Sequence, residues 1–139
     1  MKTILVGVDG SSEADKAASQ ATALCKQTGA RILFAFAHPP PRADEPLLPE
    51  FSESDRALRQ HGRTLLERAQ RAAASEGVDA EVVSAEGPPA EVLAEIAAVA
   101  GVDLVVVGHR GRGAVTRVLL GSTADRLVQI SPRPVLVVR

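Results

Sequence analysis

Val105-Val106-Val107-Gly108-His109-Arg110-Gly111-Arg112-Gly113 runs from a β-branched strand straight into a basic, glycine-rich turn, and Leu119-Leu120-Gly121-Ser122-Thr123 follows shortly after. An unbroken apolar run of this length, without polar alternation, marks a strand buried on both faces, as in a parallel sheet. Glycines let successive backbone N–H groups approach a ligand closely and point the same way, so the turn can hold an anion. Ser122 and Thr123 open a helix, where unpaired N–H groups and the macrodipole also favour negative charge.

Working outward, apolar strands alternate with helical patterns. Thr3-Ile4-Leu5-Val6-Gly7-Val8 is a first buried strand, closed by the turn residues Asp9-Gly10-Ser11-Ser12. Ser12-x-x-Asp15 has capping-box form. Ala14, Ala17, Ala18, Ala21, Leu24 and Cys25 then recur at helical spacing up to Gly29, a C′ glycine. Arg31 to Ala37 is a second buried strand. The segment from His38 to Glu50 carries five prolines and is expected to be an irregular loop. A long helix is expected from Ser52 to Ser75, and a polar–apolar alternating strand, suited to a sheet edge, from Asp79 to Ala85. Val92, Leu93, Ile96, Ala97 and Ala100 form a third helix closed by Gly101. Asp103 to Val107 is the most apolar strand. Ser122-x-x-Asp125 again has capping-box form, a short helix carries Leu127, Val128 and Ile130, and Pro134 to Val138 is the last strand.

The order β-α-β-α-β-α-β-α-β implies an α/β three-layer sandwich, a five-stranded parallel sheet with right-handed crossovers. The 139 residues amount to one domain, residues 1–139. The expected strand order is 3-2-1-4-5, a Rossmann-like arrangement. It places the first strand, ending at Asp9, beside the fourth, ending at Gly108. Ligands of open parallel sheets bind beyond the strands' carboxyl ends where the order reverses.

Composition narrows the function. Aromatics make up only 2 %, with no Trp or Tyr, so the core is aliphatic and a base-stacking surface for single-stranded nucleic acid is not expected. The formal net charge is −1, yet no acidic residue lies between Asp103 and Asp125, where Arg110, Arg112, Arg117 and His109 sit. The apolar run Ile4 to Val8 is too short for a signal-peptide core or membrane span. Cys25 is the single cysteine, which rules out an internal disulfide. A cytoplasmic protein is the expectation.

Two familiar phosphate motifs are missing. There is no G-x-x-x-x-G-K-[ST], and Gly7-Val8-Asp9-Gly10 after the first strand is not G-x-G-x-x-G. What remains is G-x-x-G, nine residues, then G-[ST]: Gly108, Gly111, Gly121 and Ser122. In this motif, and in Ile4 to Ser11, the Gly-Pro-Pro-Ala-Glu turn at Gly87, Val105 to Gly108 and Arg133 to Val138, the chain resembles the ATP-binding branch of the universal stress protein family over nearly its whole length.

That resemblance implies a nucleotide-binding set of Gly7, Val8, Asp9, Ala37, Gly108, His109, Arg110, Gly111, Gly121, Ser122 and Thr123. Asp9 would hydrogen-bond the adenosine portion, and the backbone around Ala37 would contact adenine. Gly108 and Gly111 would let the loop wrap ribose and phosphates. The N–H groups of Gly121, Ser122 and Thr123, with the Ser122 hydroxyl, would take the outer phosphates. ATP is the implied cofactor, and Asp9 could also help hold Mg²⁺ through water. A homodimer through Pro134 to Val138 is implied as well. The chain departs from many members at Phe36-Ala37, where His-Val is usual, so its base pocket could differ in shape.

Plainer roles stand beside these. Asp9 could cap the first helix. The glycines could form only a turn, and Arg110, Arg112 and Arg117 only a solvated face. Ser122 fits both a cap in the empty protein and a phosphate ligand in the filled one. His38, His61 and His109 lack metal-ligand spacing; His61 is expected to be an exposed helical residue and Cys25 a small buried hydrophobe. No catalytic set is recognisable. A nucleotide-dependent regulatory module, with at most slow hydrolysis, is the expected function. The alternatives are a dimeric interaction module, or an adenylyl or phosphoryl transferase by fold analogy alone.

Overall fold

A computed structural model describes residues 1–39, 53–110 and 120–139. The elements are β1 (Thr3–Gly7), α1 (Ser12–Thr28), β2 (Arg31–His38), α2 (Glu53–Ser75), β3 (Ala80–Glu86), α3 (Pro89–Val99), β4 (Leu104–Gly108), α4 (Ser122–Ile130) and β5 (Val135–Val138). All strand pairs are parallel, in the order β3-β2-β1-β4-β5. The fold class is the one the alternating pattern implies, and the strand order is the expected 3-2-1-4-5. The proline-rich segment, from Pro40 on, lies outside the described residues.

The core follows the pleat, whose period of two sends successive side chains to opposite faces. Ile4, Val6, Ile32, Phe34 and Val106 pack on one face with Ala17, Ala21 and Cys25 of α1 and Leu65 and Leu66 of α2. Leu5, Ala35, Val105 and Val107 pack on the other with Leu93 and Ala97 of α3 and Ala124 and Leu127 of α4. Each such Val, Leu or Ile contributes roughly 1.5–3 kcal/mol on burial. Apart from Thr3 at its start, β1 is apolar, as is β4, because both faces are covered. β3, at one edge, exposes Glu81, Val82, Ser84 and Glu86, with Val83 and Ala85 partly covered between them. β5 forms the other edge, and all four of its residues stay partly exposed.

The two helical layers differ. α3 and α4 pack directly on each other, whereas α1 and α2 meet chiefly through the sheet. Between α1 and α2 lies a cleft of about 450 Å³, walled by Ala14, Ala18, Ala69 and Ala72 and floored by Val8 and Phe34. The Arg68–Asp15 ion pair, 3.5 Å, joins the two helices.

Three local expectations shift. The N-cap of α1 is Ser11, not Ser12: its hydroxyl accepts from the Ala14 N–H at 3.1 Å. The cause is Asp9, whose Oδ1 accepts from the Ser11 N–H at 2.8 Å and the Ser11 hydroxyl at 2.5 Å, an Asx-type turn that holds Ser11 extended ahead of the helix. The N-cap of α4 is Gly121, not Ser122, which is already helical. β2 runs one residue further than expected, because His38 pairs with Glu86 and its carbonyl accepts from the Gly87 N–H at 2.8 Å. At the opposite end of the sheet, the Asp103 carboxylate accepts from the Lys2 and Thr3 amides at 2.7 and 3.0 Å and ties the start of β1 to the start of β4.

Candidate functional site at the strand-order reversal

β1 and β4 lie side by side, with Leu5 opposite Val105 and Val6 opposite Val106. The chain leaving β1 turns towards β2, and the chain leaving β4 turns towards β5. A crevice therefore opens beyond their carboxyl ends. Gly7, Val8 and Asp9 form one lip. The Val8 N–H donates to the Ala35 carbonyl at 2.9 Å, which holds this lip against β2. Gly108, His109 and Arg110 form the other.

Gly108 has a packing reason of its own. A Cβ there would lie 2.7–2.8 Å from the backbone of Glu13, so only glycine lets β4 end against the first turn of α1. Glu13 is thereby pinned at the crevice.

His109 continues the parallel ladder, its N–H donating to the Val138 carbonyl at 2.8 Å. Its own carbonyl accepts from the Gly121 N–H at 2.6 Å, which fastens the start of α4 to the end of β4. Gly121 makes no side-chain cap, and Asp125 N–H already bonds to the Gly121 carbonyl as the helix begins. The N–H groups at Ser122 and Thr123 thus belong to a helix N-terminus that receives no side-chain cap hydrogen bond among the described residues. Such an end attracts anions through its dipole and orphan donors.

The charged side chains here are linked. The Arg110 Nε–H donates to His109 Nε2 at 3.0 Å. A neutral His109 then carries its proton on Nδ1, a buried atom with no hydrogen-bond partner among the described residues. A buried donor of this kind calls for an acceptor. Arg110 also reaches Glu13, 3.9 Å away, and both side chains are largely covered, at 29 % and 20 % exposure. The Glu13 carboxyl is held below the usual range by its own backbone amide and the Ser12 hydroxyl, with smaller help from Arg110 and Lys16.

The structure brings Gly7, Val8, Asp9, Gly108, His109, Arg110, Gly121, Ser122 and Thr123 to the ends of β1 and β4 and the start of α4. Ala37 lies one strand over, near the end of β2. Gly111, Arg112 and Arg117 lie outside the described residues. Asp9 is not itself the cap of α1, which is Ser11; it orders the β1–α1 turn by accepting from Ser11, and it sits on the crevice as well. Cys25 is buried, 2 % exposed.

Two residues at the crevice escape sequence reasoning. Glu13 looks like an ordinary first-turn acid of α1 until β4 is placed beside it. His61 is exposed on α2 as expected, yet a Cβ on Gly10 would lie only 3.8 Å from its Nε2, so it stands over the turn that follows Asp9. At Phe36 the departure from the usual His is matched within the fold: the ring packs against Gly62 of α2, where any Cβ would collide with it.

Comparison with known proteins places this geometry. A family model described as "Universal stress protein family" matches residues 1–139. A universal stress protein of Thermus aquaticus is 39 % identical over 145 residues, covering 99 % of this chain and 98 % of that one. The solved structure of UspA from Lactobacillus plantarum superposes with a TM-score of 0.90 at 26 % identity, over 99 % of this chain and 97 % of that one. A universal stress protein solved in complex with cAMP gives a TM-score of 0.77 at 28 % identity, over 99 % and 97 % of the two chains.

Proposed function

The chain belongs to the universal stress protein family, and from that premise we propose that it binds an adenine nucleotide, ATP foremost, at the crevice between β1 and β4, as a regulatory module with at most slow hydrolysis. The observation that carries this reading is the bond from Gly121 N–H to the His109 carbonyl, which fastens the uncapped start of α4 to the glycine turn. His109 Nδ1, buried and without a hydrogen-bond partner among the described residues, adds a polar atom to the same place. The cAMP complex of a related protein shows an adenine nucleotide held by this family.

In this reading Asp9 and the backbone of Val8 and Ala37 hold the nucleoside. Gly108 and Gly111 admit the phosphate chain, Ser122 and Thr123 receive its outer oxygens, and Asp9 reaches Mg²⁺ through water. Charge-assisted hydrogen bonds at the α4 N-terminus are each worth roughly 1.5–3 kcal/mol. Three or four supply about 4.5–12 kcal/mol, and with the nucleoside contacts this brings the site towards micromolar affinity, about 8 kcal/mol net of association costs. The partly exposed edge strand β5 is the surface through which two copies would pair.

Titration calorimetry with ATP, AMP, cAMP and adenosine tests the nucleotide reading. Micromolar binding of at least one nucleotide is expected, and no heat with any of them at millimolar concentration overturns it. Light scattering at tens of micromolar tests the pairing, and a monomeric mass counts against it.

A further inference from the structure

An acidic side chain sits where an anion site should have none. Glu13 is fixed at the crevice by the backbone contact with Gly108, and its side chain is only partly exposed. Its local amide and the Ser12 hydroxyl keep it ionised. A charge so placed repels an incoming phosphate, and the repulsion is strong where solvent screening is weak. Its nearby cation among the described basic residues of the glycine turn is Arg110, whose Nε is at the same time occupied by His109. Arg110 is therefore held from two sides, by a carboxylate and by an imidazole.

The geometry points to Glu13 as a gate on the phosphate side of the site: it parks Arg110, and a polyphosphate binds only by taking the guanidinium from it. This rests on the crevice being an anion site and goes beyond it by naming the residue that sets the strength of phosphate recognition relative to nucleoside recognition. Glu13 thus weakens the affinity for polyphosphate chains and leaves the nucleoside portion untouched. Arginine suits such an exchange, because its fork pairs with a carboxylate or a phosphate in the same geometry.

The test uses tripolyphosphate, ATP and adenosine on the full chain, with wild type, Glu13→Gln, Arg110→Ala and the double variant. Gln keeps the length and the helical position, and far-UV circular dichroism with thermal melting verifies the fold. Glu13→Gln is expected to tighten tripolyphosphate and ATP about threefold to fivefold, the upper range for a partly exposed ion pair, and to leave adenosine unchanged. In the Arg110→Ala background the same substitution should bring a distinctly smaller gain.

Unchanged or weaker tripolyphosphate binding in Glu13→Gln overturns the gate. So does an equal gain with and without Arg110, which would mean a general field effect. Loss of ATP affinity confined to Mg²⁺-containing buffer overturns it too, by making Glu13 a metal-facing group. If ATP and adenosine fail to bind while tripolyphosphate shows the gain, the gate stands and the nucleotide reading falls.

Discussion

At the scale of single residues, Gly108 and Asp103 show opposite ends of β4 at work. Gly108 lies against the Glu13 backbone, and a methyl group there overpacks a contact made of main chain, which cannot swing aside. Gly108→Ala is expected to destabilise by about 1–3 kcal/mol, read as a lower urea midpoint at unchanged slope. Asp103 acts through charge. Its pKa lies below the ordinary carboxylate value because the Lys2 and Thr3 amides donate to it, the N-terminal amine and Arg133 adding less. A carboxyl whose folded pKa is depressed contributes stability that is present above its unfolded pKa, near 4, and lost as pH falls through the folded value. Asp103→Asn should accordingly be less stable than wild type at neutral pH, with the difference shrinking below about pH 4. Melting temperatures across that range decide it; a difference independent of pH would show that the carboxylate's charge is not involved.

At the scale of elements, α2 carries a glycine in its middle at the position facing Phe36. Helix propensity alone predicts that Gly62→Ala stabilises by up to about 1 kcal/mol. The ring of Phe36 reverses that sign, because the added Cβ meets it. Gly62→Ala is expected to destabilise the wild-type chain and to become neutral or stabilising once Phe36→Leu is present, a coupling that a double-mutant cycle in urea measures. α4 offers a second case. Gly121 adopts φ −66 and ψ 159, which any residue tolerates, so Gly121→Val should keep the fold at the cost of about 1 kcal/mol for valine at an N-cap, while crowding the helix start and abolishing ATP binding by calorimetry. Unchanged affinity would remove α4 from the site.

The elements were largely legible in the sequence, since valine-rich strands and alanine-spaced helices announce their periods without help from distant contacts. The edge position of β3 was legible from its alternation. The caps were less so. Ser11 and Ser12 are chemically alike, and the Asp9 carboxylate, placed by the turn, selects Ser11. Glu13 and His61 were not legible as crevice residues, because their importance comes from β4 and the Gly10 turn, which approach them only once the sheet is assembled. Phe36 and Gly62 likewise explain each other only in three dimensions.

At the scale of the whole molecule, a ligand that binds only the folded chain stabilises it in proportion to the logarithm of its excess over Kd. ATP at one hundred times its Kd is expected to add about 2.7 kcal/mol, a rise in Tm of roughly 6–12 °C for a chain of this size. Adenosine, lacking the phosphates, should shift it less at equal concentration. Scanning fluorimetry over a ligand series measures both, and equal shifts would mean that the phosphates go unrecognised.

The placement of β4 beside β1 has a consequence in time. Asp103 meets Lys2 across 101 positions of sequence, and β1 finds β2 long before that, Ile4 pairing with Ile32 and only later with Leu104. On a ribosome adding roughly 5–20 residues per second, one side of β1 waits about 5–20 s for its partner to emerge. During that interval the most apolar strand pair of the sheet is half made, and a nascent chain is open to wrong partners at this seam. The crevice at the carboxyl ends of β1 and β4 cannot exist before that seam closes, so it forms only after β4 has emerged.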